Sequence, residues 1–468
     1  MSQFIYYDTE TTGSSSAFDS ITEIFLSLCN DKFQELDKLH LRCRLKEGVI
    51  PNLNALIITK TSVAQLKGNN LSHAQLLHQV YSTIQRWTPS YLLGYGSIQF
   101  DVEFLRKKFF QNLQDPYLMN TKGNKNIDIL SQIRAAKLIK DDVIKTETSA
   151  KGNPIFKLDK LMGHQDAHGA EPDTTQAKKV AEIVFKKCNP VWRSSLMTAS
   201  RPDCDRLVQT EKMFCNLEYF YGKLRIFLVH HYLFHPVYKW SICWDLRWNP
   251  ADYIHMKKGP LKEALSKTPK ILRTVKTHKS PVLLNPSYAR MQEPYNKISP
   301  DILNKRIEIL EKATEFKKLI SVILEEIAQE QKEKKEDNIP NLRHEEKIYT
   351  GFPSPEEKQK MAQFHTAEWQ DKVKLIDKFS LDYNAHFAKR YLYEEKSDVL
   401  PESIYKEVKR DIAERILSTD EVNFTTVSEF YRQIDYERNK SANDPKRMKL
   451  LDEYNDFVMS IEQKYEAA

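Results

Sequence analysis

Short apolar strands alternate with amphipathic helices through the first 187 residues. This alternation confines that part of the chain to an α/β architecture, with helices packed on a mixed sheet. Residues 4–7, 21–29, 36–45 and 91–95 carry strand-like patterning. Residues 73–87 place Leu76, Leu77, Val80, Ile84 and Trp87 on one helical face, and 101–112, 127–139 and 174–187 also read as helices. From 188 to 285 the texture turns aromatic and strand-like, including 214–221, 225–234 and 238–248, which predicts a small β domain. A basic stretch over 257–279, whose only acid is Glu263, comes next. Helical patterning then covers 302–331 and 355 onward, interrupted by a charged, proline-containing linker at 331–343.

A length of 468 residues fits about three domains at roughly 150 residues each. The texture places them at 1–187, 188–343 and 344–468. With 41% hydrophobic residues, 22 Tyr, 22 Phe and 6 Trp, the chain is too apolar to be mainly disordered. The net charge of +7 is mild, and a solvated lysine-rich surface explains it as well as a polyanionic partner does. Six cysteines without a CxxC pair predict free thiols in a reducing compartment. No basic leader followed by an apolar core opens the sequence, and no run of about 18 apolar residues occurs, so a soluble intracellular protein is expected.

Three motifs stand at strand ends. Asp8-Thr9-Glu10-Thr11-Thr12-Gly13 follows the first strand, and residues i and i+2 of a strand share a side, so Asp8 and Glu10 present their carboxylates together. An exposed turn tolerates such a pair, and so do divalent cations that neutralise it. In Gly94-Tyr95-Gly96-Ser97-Ile98-Gln99-Phe100-Asp101, Asp101 either caps the helix it begins or puts a third carboxylate into the same cleft. In His168-Gly169-Ala170-Glu171-Pro172-Asp173, Pro172 and Asp173 suit a helix N-terminus.

Asp8-x-Glu10, Phe100-Asp101 and His168-x-Ala170-x-x-Asp173 resemble, in kind and order, the motifs of the DEDDh exonuclease superfamily. Further segments are similar to the bacterial exonuclease I family: Ala17-Phe18-Asp19, Asp115-Pro116-Tyr117, Phe156-Lys157-Leu158, Thr274-Val275 through Leu283, and Ile348-Tyr349-Thr350-Gly351-Phe352. Where that family commonly carries an Asn pair after Gly-Tyr, this chain has Gly96-Ser97. The resemblance implies an RNase H-like DEDDh exonuclease domain, an SH3-like β domain and a C-terminal helical domain. It implies a processive 3′→5′ exonuclease on single-stranded DNA, acting in repair and recombination and releasing 5′-mononucleotides.

By the same resemblance, Asp8, Glu10, Asp101 and Asp173 hold two Mg²⁺, with Mn²⁺ as an alternative, and His168 accepts a proton. Thr9, Glu10, Thr11, Gly13 and Phe100 are expected to contact substrate; Lys276 and Lys279 of the basic stretch either track the DNA backbone or belong to an ordinary solvated face. Tyr219, Phe220, Tyr221, Tyr238 and Trp240 are either stacking platforms for bases or barrel core. The implied partners are single-stranded DNA and the acidic, apolar-ended tail of single-strand-binding protein. The implied setting is a monomer in the bacterial cytoplasm, associated with the nucleoid. Of only 12 glycines, Gly13, Gly94, Gly96 and Gly169 lie in or beside the three motifs. Two other readings stay open: a single-strand-binding protein that keeps the fold with little catalysis, and a DEDDh exonuclease directed at RNA.

Overall fold

The computed structural model describes residues 2–68, 71–163, 169–336 and 342–466. Its first sheet has the order β3-β2-β1-β4-β5, built from β1 (Phe4–Thr11), β2 (Ile21–Cys29), β3 (Glu35–Arg42), β4 (Tyr91–Gly94) and β5 (Lys125–Asp128). β1, β2 and β3 pair antiparallel, whereas β1, β4 and β5 pair parallel, so the sheet is mixed as expected. The longer helices of this unit are α1 (His73–Arg86), α2 (Asp101–Gln111), α3 (Ile129–Ile139) and α4 (Ala170–Lys187).

The two-residue period of β1 divides its side chains between two cores. Ile5 and Tyr7 pack with Leu76, Leu77, Val80 and Ile84 of α1 and with Val102, Leu105 and Phe109 of α2. Phe4 and Tyr6 face Ile133 and Ala136 of α3 and Ala177, Val180 and Val184 of α4. β2 is buried along its whole length, while β3 is an exposed edge strand rich in charge, a composition that discourages pairing with another chain. Ser72 and Gln75 form a reciprocal capping box that starts α1.

Between the sheets the structure departs from the strand-like texture expected from residue 188 onward. Asn189–Met197 and Arg201–Thr210 are helices. Each carries Pro in its first turn, and Ser200 accepts from Asp203 N as an N-cap, so local capping chemistry prevails over aromatic content.

The second sheet, β10-β6-β7-β8-β9, is antiparallel throughout. It comprises β6 (Phe214–Phe220), β7 (Lys223–Phe234), β8 (Ser241–Asp245), β9 (Leu272–Val275) and β10 (Leu283–Leu284). Pro300–Lys312 and Thr314–Glu336, two helices where one run was expected, contribute Leu303, Ile307 and Phe316 against Tyr232 and Trp244. Asp245, fully buried, is held by Arg247 (2.9 Å), Arg273 (3.3 Å) and the Tyr295 hydroxyl (2.7 Å).

The remaining helices run from Pro355–Thr366 to Pro445–Glu466 and enclose a core that also takes in Leu53, Leu56, Phe110 and Leu113 from the first part of the chain. Polar ties reinforce this junction: Arg415 donates to Phe18 O (3.3 Å), Arg390 to Glu47 O (2.9 Å) and the Tyr454 hydroxyl to Thr61 O (2.7 Å). All six cysteines are buried and unpaired.

Removing Asp245 takes the shared carboxylate from buried Arg273, which keeps Glu218 at 3.0 Å, and from partly buried Arg247, so the loss falls at or below the about 3–5 kcal/mol of a fully broken buried pair. Asp245→Ala is therefore expected to lower the urea midpoint of the second-sheet unit, followed by tryptophan fluorescence of Trp244. An unchanged midpoint would show that the ion cluster is energetically idle.

Candidate active site

β1 delivers Asp8 and Glu10 to one side of the sheet, and a register shift against β2 between Glu10 and Thr11 ends regular pairing there. Asp173 comes from the first turn of α4, which lies across β1 and β2. Oxygens of Asp8, Glu10 and Asp173 all lie within 4.8 Å of one another, and among the described residues no other group of three potential metal ligands converges in this way.

Asp101 stands beside the three. The residue preceding α2 is Phe100, which makes no side-chain cap, so Asp101 does not serve as the N-cap. Its Oδ1 instead accepts from Thr9 N (3.2 Å) and Thr9 Oγ1 (2.5 Å), which binds the start of α2 to the middle of the β1 motif. The loop leading to α2 is equally constrained. Gly96 has φ +71° and donates to Asp128 Oδ1 at 2.8 Å. A Cβ on Gly94 would come within 2.5 Å of the Ser97 side chain.

Of the other residues expected at the site, Thr11 donates to Gly13 O (2.8 Å), and Gly13 packs so closely on Asp19 that a Cβ would lie 2.5 Å from its carboxylate. Phe100 is 37% exposed and its ring lies 4.8 Å from Phe104. Lys276 and Lys279 are in the second-sheet unit. Lys276 Nζ lies over Trp240 (4.9 Å), and Lys279 reaches Glu103 of α2 (3.7 Å). Tyr221 is 92% exposed at the β6–β7 turn, and Tyr238 stacks on Trp240 at 4.7 Å. Arg134 lies 3.8 Å over the Tyr219 ring. His168 lies outside the described residues.

Sequence reasoning passed over Glu23, which stands opposite Glu10 in register on β2, and the alternating basic residues Lys38-x-His40-x-Arg42 on β3. The signal for the second was present, because a two-residue period on a strand puts all three on one face.

The electrostatics of this group favour an added positive charge. Burial, followed by the charges of Asp101, Glu10, Asp173 and Glu23, pushes the Asp8 carboxyl well above its usual range. Burial and then Asp173, Glu23 and Asp101 raise Glu10 to about 8, while burial raises Asp101 to about 6. An all-oxygen donor set whose members raise one another's carboxyls fits hard divalent cations such as Mg²⁺ or Mn²⁺.

No protein-family model matches the sequence. Curated relatives do match over part of it. Exodeoxyribonuclease I of Buchnera aphidicola from Schizaphis graminum is 24% identical over 217 residues, covering 45% of each chain. The Haemophilus influenzae enzyme of the same name is 23% identical over 217 residues, 45% of this chain and 46% of the relative. The chain thus spans about half the length of the curated relatives it matches. In three dimensions the likeness covers nearly everything. Exonuclease I from Methylocaldum szegediense superposes with a TM-score of 0.81 at 18% identity, over 99% of this chain and 100% of that one. Escherichia coli exonuclease I in complex with a dA16 oligonucleotide gives 0.80 at 18% identity, over 98% and 100%.

The fold is that of exonuclease I. This agrees with the expected combination of an α/β unit, an antiparallel β unit and a helical C-terminal region. A zinc-bound form of the E. coli exonuclease I complex with single-stranded DNA shares the fold, with a TM-score of 0.78.

A carboxyl whose folded pKa is raised destabilises the fold above its unfolded pKa, and the penalty grows until the pH passes the folded value. For Glu10 that window runs from its ordinary 4.5 to about 8. In EDTA, the melting temperature is expected to fall between pH 5 and 8. Asp8→Asn should flatten this fall and raise the melting temperature at pH 8 by several degrees, at about 2–4 °C per kcal/mol. Saturating Mg²⁺ should stabilise wild type far more than the variant. Identical pH profiles for the two proteins would contradict the charge assignment.

Proposed function

We propose that this chain is a metal-dependent, processive 3′→5′ exonuclease that degrades single-stranded DNA to 5′-mononucleotides in repair and recombination. The observation that carries the reading is the convergence of Asp8, Glu10 and Asp173, with Asp101 bound to the same motif, in a molecule with the exonuclease I fold.

Asp8, Glu10, Asp101 and Asp173 would hold two divalent cations, and the hard oxygen donors make Mg²⁺ the proposed ion. Such cations would supply Lewis acidity toward the scissile phosphate and positive charge among the clustered carboxylates. The chain's own groups do the positioning. Thr9 orients Asp101 through two hydrogen bonds, and Phe100, half-exposed beside Asp101, offers a ring face to a terminal base. His168, which precedes Gly169 in sequence, is the proposed proton acceptor, since a histidine near its ordinary pKa of about 6.5 exchanges protons at neutral pH.

In this reading the second-sheet unit carries the track for the strand. Tyr238, Trp240 and His278 stack in series at 4.7 and 6.3 Å, and Lys276 lies over Trp240. Aromatic faces combined with cations suit single strands of any sequence. Lys279 links this unit to α2 through Glu103, which also accepts from the Tyr349 hydroxyl at 2.9 Å. The reading extends, on the resemblance alone, to a bacterial cytoplasmic monomer, associated with the nucleoid, that docks the tail of single-strand-binding protein. Among the described residues no helix is long and apolar enough to cross a membrane.

With 3′-labelled single-stranded DNA and Mg²⁺, labelled mononucleotide should appear, and EDTA should abolish it. Asp8→Ala should reduce turnover by at least about 10³-fold while DNA affinity stays within a few-fold, because phosphate contacts elsewhere supply most of the binding. Absence of metal-dependent release would leave a binding protein, and faster cleavage of a matched RNA strand would move the substrate class. Replacing Lys276 and Lys279 together by Ala should reduce the slope of log affinity against log salt by about 1–2. An unchanged slope would remove both lysines from the DNA path.

A further inference from the structure

The row of charge across β1, β2 and β3 does not stop at the candidate ligands. Glu10, Glu23 and Arg42 stand opposite one another in register on three adjacent strands, so their side chains share the face that carries the carboxylate group. Glu23 is 8% exposed, and its Oε1 is contacted by Arg42 Nη2 at 3.0 Å and by His40 Nε2 at 2.7 Å. The other ring nitrogen of His40, Nδ1, lies 3.5 Å from Glu171 Oε2, and Lys38 Nζ lies 3.8 Å from Glu171 Oε1. Glu171 belongs to the first turn of α4, two residues before Asp173. Gly169, at the foot of the same helix, passes so near that a Cβ there would lie 3.9 Å from Glu23 Oε1.

Two consequences follow from these contacts. Without a cation, Asp173 is repelled by Asp8 and Glu10, and this force pushes the start of α4 away from β1. Lys38, 3.8 Å from Glu171, pulls the same turn back toward the sheet, and the imidazole packed between Glu23 and Glu171 bridges the two elements. The second consequence concerns charge. Glu23 lies close enough to raise the carboxyls of both Asp8 and Glu10, whereas Arg42 acts on Glu10 in the opposite sense. Arg42 and His40 therefore hold in place an acid that adds negative field to the site without exposing it to water.

We propose that Glu23, His40 and Arg42 are positioning residues that hold Glu10 and the Asp173 turn at cation-binding separation before a divalent cation arrives. The proposal rests on the reading of Asp8, Glu10 and Asp173 as a cation site. None of the three belongs to the converging group of Asp8, Glu10 and Asp173. They act through the ligands, as partners of metal-binding carboxylates do in general, where their loss costs about 10–100-fold in metal affinity.

The test is Mn²⁺ binding to the metal-free, full-length protein by titration calorimetry, with the metal-free melting temperature measured alongside. His40→Ala and Arg42→Ala are each expected to weaken Mn²⁺ binding about tenfold. Leu28→Ala serves as the control for a general loosening of the sheet. Leu28 lies on β2 in the core packed against α1 and α2, outside the charged array, so its truncation should lower the melting temperature and leave Mn²⁺ affinity within twofold. The proposal is overturned if His40→Ala and Arg42→Ala bind Mn²⁺ within twofold of wild type, or if Leu28→Ala loses as much affinity as they do. If wild type binds Mn²⁺ no more tightly than Asp8→Ala does, the cation-site reading itself fails, a result distinct from a wild type that binds well alongside unaffected array variants.

Discussion

Mutual repulsion among half-buried carboxylates at the end of β1 is the constraint around which this molecule is arranged. Asp8, Glu10 and Asp173 would separate if they were free to do so, and the fold denies them that freedom. β1 is the central strand of a five-stranded sheet packed on both faces. α4 is fixed by Ala177, Val180 and Val184 in the core beneath. Asp101 is tied back by Thr9. The apolar burial that stabilises the domain thus also holds together a group of charges that a cation can neutralise, and cation binding becomes the release of stored repulsion.

Much of this was legible in the sequence because it depends on short-range periodicity. The i, i+2 spacing of Asp8 and Glu10 on a strand fixes their common side, and a polar loop before α4 puts Asp173 at a helix start. The apolar stripe Leu76, Leu77, Val80 and Ile84 located α1 with only a small error at its end. What failed to show was decided by distance in space or by local capping. The pairing of Asp101 with Thr9 spans 92 residues and displaces the N-cap role that a helix-initial Asp suggests. The helices of residues 189–210 were hidden by an aromatic texture, although Pro190, Ser200 and Pro202 were available as signals. Glu23 drew no notice because a single acid in an apolar strand acquires meaning only when β1 and β3 are laid beside it.

The parts beyond the carboxylates are joined to them by polar contacts as well as by packing. Glu103, in the first turn of the helix that begins with Asp101, accepts from Arg106 (2.5 Å) and Tyr349 and lies near Lys279. All three structural regions therefore meet on the element that carries a site residue. On the opposite side, Arg415 and Arg390 bind backbone carbonyls of the first region from within the helical one. A single hydrogen bond of this kind contributes modestly to stability, so the value of the set lies in fixing orientation. The proposed activity, cleaving a retained strand repeatedly, requires such fixed geometry between grip and chemistry.

Anomalous diffraction from crystals soaked in Mn²⁺ tests most directly whether the clustered carboxylates form a cation site. Mn²⁺ peaks are expected in contact with the carboxylates of Asp8, Glu10 and Asp173, and should be lost in Asp8→Ala crystals. Peaks confined to other surfaces, or none at these three residues under saturating Mn²⁺, would contradict that reading.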